Sequence, residues 1–170
     1  MASLIEELIT VLEEEDNEYK KLTELTNRKT PIIVKGDLDA LKDITSEEQG
    51  FIERLNRLEK RRIEAVKDIA LVLNKDEKEL TIKAIVELLE GQDAEQKRLS
   101  LVHDSLKTTL DNISRLNEMN KNLINSSLEM VEFNINMLKG IYQSPELGNY
   151  GKDACNTESA ISYGVFDAKN

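Results

Sequence analysis

The sequence predicts an all-α fold: an elongated antiparallel helical bundle or coiled coil of three long helices plus one short helix, with an irregular C-terminal tail. Three observations predict it. Charged residues make up 33% of the 170-residue chain, aromatics only 4%, and there is no Trp. Only two prolines occur, Pro31 and Pro145, and glycine is scarce before residue 140, so few positions break a helix. Apolar residues recur at three- and four-residue spacing, the period of an amphipathic helix.

The first helix is expected from Ser3, an N-cap with Glu6 three residues on, to about Lys29. Its stripe is Leu4, Leu8, Val11/Leu12, Tyr19, Leu22 and Leu25, interrupted by Glu15. Thr30-Pro31 should disturb it, with Ile32-Ile33-Val34 adding a turn, and Gly36-Asp37 supplies a stop followed by a new N-cap.

The second helix spans Leu38–Leu73 on a stripe from Leu38, Leu41 and Ile44 through Leu55 and Leu58 to Ile69 and Leu73. Glu48 and Arg62 fall on that face and read as partly exposed edges of a long bundle rather than as a buried pairing device. Asn74–Leu80 is a charged turn, and Thr81–Glu90 makes a short amphipathic helix ending at Gly91. Asp93-x-x-Gln96 has the form of a capping box and opens a last helix that can run to about Tyr142. The chain thus divides into a helical bundle domain, 1–143, and a tail, 144–170, where Tyr150, Ile161, Tyr163, Val165 and Phe166 are scattered without helical period.

Composition removes several function classes. A net charge of −10 is repelled by phosphate backbones and anionic lipid, so neither nucleic acid nor membrane is expected as a partner. The single Cys155 leaves no internal disulfide and no cysteine-rich metal site. The acidic, amphipathic start resembles no signal peptide, no apolar run approaches a membrane span, and a cytoplasmic location is expected. One histidine, His103, cannot supply the paired Glu-x-x-His of a di-iron bundle, and there is no Gly-rich phosphate loop. No enzyme activity, cofactor or metal is expected.

The stretch NEMNKNLINSS at 117–127 is different. Asn and Ser are mediocre helix formers, yet Asn117, Asn120, Asn122 and Asn125 sit inside a helical pattern. Leu99, Leu106 and Ile113 recur every seven residues, and the same register continues as Asn120, Ser127 and Asn134. The apolar stripe meanwhile moves sideways to Leu123, Ile124, Val131 and Leu138, partly through the drift of a straight helix against a seven-residue repeat. Asn carries donors and acceptors without charge, so this half of the helix reads as a semi-polar face that another helix can share.

Three passages resemble the FlgN-type flagellar export chaperones. KGDLDALKDITSEEQGFIERLNRLEKRR (35–62) is similar to the family's second-helix pattern. RLNEMNKNLINSSLEMV (115–131) resembles its N-x-x-N-x-x-L-I-x-x-S-L signature at Asn117, Asn120, Leu123, Ile124, Ser127 and Leu128. NYGKD and FDAKN in the tail are similar to a Tyr-Gly motif and an Asp-Ala ending, although Gly151-Lys152-Asp153-Ala154 stands where a second glycine is often found.

The resemblance implies a chaperone without ATPase activity that binds the C-terminal helical segment of hook-associated (hook–filament junction) proteins, prevents premature assembly and delivers them to the export gate. It places client binding on Asn117, Asn120, Leu123, Ile124, Ser127, Leu128, Val131, Ile135, Leu138 and Tyr142 of the last helix, with Tyr150, Tyr163 and Phe166 as tail anchors. Tyr150 is the candidate contact to the export gate. The rival reading is a self-associating coiled-coil scaffold or adaptor with no export role; a homodimer stays open under both.

Overall fold

The computed structural model describes residues 2–76, 78, 80–89 and 93–143. Four helices follow in chain order: α1 (Ala2–Lys35), α2 (Leu38–Leu73), α3 (Ile82–Leu88) and α4 (Asp93–Gln143). The chain divides into two units, Met1–Phe133 and Asn134–Asn170, and the second is described only where it carries the end of α4. The all-α bundle expected from the sequence is what forms.

The sequence placed a disturbance at Thr30-Pro31, but α1 runs through Pro31 to Lys35. Proline lacks the amide that would reach the Asn27 carbonyl, while its fixed φ still suits a helix. Burial of Ile33 and packing of Ile32 against the core hold the turn beyond it.

Gly36 then adopts φ +68, a left-handed conformation that an L side chain resists. Its amide donates to the Ile33 carbonyl at 3.0 Å, and that of Asp37 donates to Ile32 at 3.3 Å, which closes the end of α1. Asp37 opens α2 at once, its carboxylate accepting from the Ala40 amide at 3.0 Å. Asn74, also left-handed, ends α2, and Thr81 caps α3 by accepting from Ala84 at 3.1 Å. The Gln96 amide, read as half of a capping box, donates to the Val86 carbonyl at 2.9 Å and so ties the start of α4 to α3.

Pairings across the seams give the directions. Glu14 meets Arg61, Glu18 meets Arg54, and Lys29 meets Glu48, so α1 and α2 run antiparallel. Glu6 meets Arg98, Asp16 meets Ser105, and Thr30 meets Asn120, so α4 runs back in the direction of α1. The order is up, down, up, with α3 inside the return.

Two apolar cores lie along the bundle. One gathers Ile5, Leu8, Ile9 and Leu12 with Ala65, Ile69, Ile85 and Leu99; the other gathers Leu22, Leu25, Ile44, Leu55 and Ile113. Between them on α1 sit Glu15 and Asp16, both buried. The break that Glu15 makes in the sequence stripe is a polar belt between the cores. Arg62 reaches Glu15 at 3.1 Å and Lys29 reaches Glu48 at 2.6 Å, with three of these four side chains at 19% exposure or less. Glu48 and Arg62 are thus partly exposed, as the edge reading has it, and each also pairs with an opposite charge on the facing α1. Desolvating a carboxylate is costly enough that both acids recruit cations from the facing helix.

Candidate functional site

The register between α1 and α4 decides where α4 runs out of neighbours. Hydrogen bonds between them join residues 85 to 94 apart in sequence. Along α4, Leu99, Val102, Thr109, Ile113 and Asn120 are buried in turn, and Asn120 is the last of them. At that separation α1 stops short of the later turns. Leu128, Met130, Val131 and Phe133 stand 53–68% exposed.

A cleft opens where α1 ends. Ile32 and Ile33 of α1, Gly36 and Asp37 of the turn, and Leu38 and Leu41 of α2 form one side, and Ile124, Ser127, Leu128 and Val131 of α4 form the other. Its volume is about 270 Å³ and its lining is almost wholly apolar. That is just below the roughly 300–1,000 Å³ of small-molecule pockets and suits apolar side chains of a partner. Leu38 opened the apolar stripe of α2 in the sequence, yet it is 76% exposed because it stands at the mouth of the cleft.

The sequence-predicted residues separate into three groups. Ile124, Ser127, Leu128 and Val131 share the cleft. Asn117 is exposed and Leu123 half-buried, while Ile135, Leu138 and Tyr142, in the second unit, are exposed. Asn120 is only 4% exposed: its Oδ1 accepts from the Thr30 hydroxyl at 2.8 Å, and its Nδ2 donates to the Thr26 carbonyl at 3.2 Å. Its amide is engaged inside the bundle. Ser127 donates to the Leu123 carbonyl at 2.9 Å. Tyr150, Tyr163 and Phe166 lie outside the described residues.

Sequence reasoning missed the far wall of the cleft, Ile32, Ile33, Leu38 and Leu41. Those residues carry only ordinary stripe spacing, and nothing local says that α4 passes them. It also gave no role to Met119 and Phe133, two exposed residues of α4 that do not line the cleft.

The cleft holds little titratable chemistry. Asp37 is its one carboxylate, and it already caps α2. Among the described residues, no group of three or more His, Cys, Asp or Glu is placed to hold a metal ion. His103 is part-exposed, with Nδ1 3.2 Å from its neighbour Asp104. The perturbed acids lie in the belt instead. Burial pushes Glu15 above the usual carboxylate range, and Arg62 pulls it only part of the way back. Burial also acts on Asp16, but bonds from Lys20, Ser105 and Thr109 outweigh it and hold that carboxyl low. What this geometry can do is bind apolar surface.

No helix among the described residues is long and apolar enough to cross a membrane. An uncharacterized protein of Bacillus subtilis (strain 168), YvyG, is 28% identical over 120 residues, 71% of each chain. No solved structure matches. The family model described as FlgN protein matches residues 1–158. With that match running from α1 past the end of α4, the chain belongs to the FlgN protein family.

Proposed function

We propose that this protein is a cytoplasmic flagellar export chaperone that binds the C-terminal helical segment of hook-associated (hook–filament junction) proteins. It keeps that segment from assembling early and delivers it to the export gate. The observation that supports this reading is the cleft, where Leu38, Leu128 and Val131 remain more than half exposed beside Ile32 and Ile33. A monomer leaves such a patch to solvent only at a cost, and an amphipathic helix laid into it removes that cost. Ile135, Leu138 and Tyr142, in the second unit, serve as further client contacts. Tyr150, Tyr163 and Phe166 act as tail anchors, and Tyr150 meets the export gate.

The test is titration calorimetry of a junction protein's C-terminal segment against the full chain, Val131→Asp and a chain ending at Ser144. Micromolar or tighter binding that Val131→Asp abolishes supports the reading, and a further loss on truncation assigns anchors to the tail. Absence of binding, with sedimentation showing a stable homodimer through the same face, favours the self-associating scaffold.

A further inference from the structure

α4 is joined to α1 differently from the way α2 is. The α1–α2 seam is lined with ion pairs, Glu14–Arg61, Glu15–Arg62, Glu18–Arg54 and Lys29–Glu48. Such pairs tolerate sliding, because long flexible side chains can follow one another. The α1–α4 seam has ion pairs at the start of α4, from Arg98 to Glu6 and Glu13, and further along it holds two short polar clamps. At the first, Asp16 accepts from Ser105 at 2.8 Å and from Thr109 at 3.0 Å. At the second, Asn120 bonds Thr30 and Thr26.

The second clamp sits next to the cleft. Thr30 precedes Pro31, and two residues later the cleft wall begins at Ile32. Asn120 is one helical turn before Ile124, the first α4 residue of the cleft. Which α4 side chains face Ile32 and Ile33 is thus fixed by the axial position of α4 at this level. Apolar stripes alone specify that position poorly, since a slide of one turn re-presents similar side chains at the seam. A buried Asn discriminates, because its donor and its acceptor need separate partners at fixed distance. Sliding by a turn would strand part of that set in the buried seam.

We infer that Asn120 is a positioning residue: it sets the register of α4 against α1 and thereby the shape of the cleft, without touching the partner that the cleft takes. The inference rests on the proposed function for the cleft's purpose, but its core claim concerns the unliganded chain. Asn117 and Ser127, both exposed, remain available to a partner in a way that Asn120 is not.

The experiment measures register directly. Spin labels go on the exposed positions Val34 and Ser126 in the full chain, with Cys155 replaced by Ser, and pulsed electron resonance reads their separation. The parent should show one narrow distance. Asn120→Leu should fold with an unchanged or raised Tm, yet broaden that distribution or add a population displaced by about one helical turn, roughly 5 Å. Thr30→Val, which removes one bond of the clamp, should broaden it less, and Thr30→Ser, which keeps the hydroxyl, should restore the narrow distance. Where the parent binds a junction-protein segment, Asn120→Leu should weaken it at least tenfold despite the retained Tm. A single unchanged distance in both Asn120→Leu and Thr30→Val overturns the inference, as does a Tm loss with no change in distance, which would make Asn120 a packing residue only. The distances decide the register claim even if the parent binds no junction protein, an outcome that would remove the proposed function alone.

Discussion

Arg62 Nε donates to the Glu15 carboxylate at 3.1 Å across the α1–α2 seam, while the acid keeps only 5% of its side-chain exposure. Pair and burial pull in opposite directions here, and burial wins, since the Glu15 carboxyl sits above its ordinary 4.5.

Arg62→Ala should therefore destabilise the fold by about 1–3 kcal/mol at neutral pH, less than loss of a fully buried partner because Arg62 is itself a third exposed. The sign with pH follows from the direction of the shift. A raised carboxyl binds its proton more readily in the folded chain, so its contribution falls as pH rises from its unfolded value through its folded value. Without Arg62 that window extends upward. Urea unfolding should show a larger deficit for Arg62→Ala at pH 7 than at pH 5, and equal deficits would exonerate Glu15. The paired change Glu15→Leu/Arg62→Leu should recover most of the loss.

Asp16 should behave in the opposite sense. Its carboxyl is held below the ordinary 3.8 because the bonds from Lys20, Ser105 and Thr109 outweigh burial. The stability it contributes is present above the unfolded value and lost as pH falls through the folded one. Asp16→Ala should cost about 1–3 kcal/mol near neutrality, since Ser105 and Lys20 lose their shared acceptor and Thr109 keeps only the Ser105 carbonyl. Parent and variant should converge in thermal melts toward about pH 3. A constant gap down to that pH would mean the charge contributes nothing.

The Gly36-Asp37 turn should be sensitive to small changes. Asp37→Ala removes the acceptor for the Ala40 amide and should cost about 1 kcal/mol. Gly36→Ala meets no steric neighbour, but its φ of +68 should still cost roughly 1–2 kcal/mol. Circular dichroism melts check both. A neutral Gly36→Ala would show that the turn relaxes out of the left-handed region.

Leu128→Asp should separate binding from stability. The side chain is 57% exposed, so the substitution should stay within about 0.5 kcal/mol of the parent in urea. It should nevertheless weaken a junction-protein segment at least tenfold, about 1.4 kcal/mol, by placing a charge in the apolar cleft. Retained affinity would move the client off this surface.

Much of the local structure was legible because its causes are local. Asp37 and Asn74 bracket α2 as Leu38–Leu73, the limits that turn chemistry alone predicts. Pro31 misled, because the cost of one missing amide is a local quantity whereas the burial of Ile33 that outweighs it is not. The FlgN-like signature at 115–131 spans both the buried Asn120 and the cleft residues Ile124, Ser127, Leu128 and Val131, and its spacing does not separate them.

The sequence by itself determined that the chain is helical, where α2 starts and stops, and that its last helix changes character after Ile113. Those properties depend on residues within a turn or two of each other. Only the tertiary structure decided that Asn120 faces inward to Thr26 and Thr30 while Ile124, Leu128 and Val131 face a cleft. The same decision gave the buried Glu15 a cation from the facing helix, Arg62. Such roles depend on which side chain lies opposite across a seam, and that is set by the axial register of helices some 90 residues apart, as in the Thr30–Asn120 bond. Periodicity along one helix leaves that register undefined.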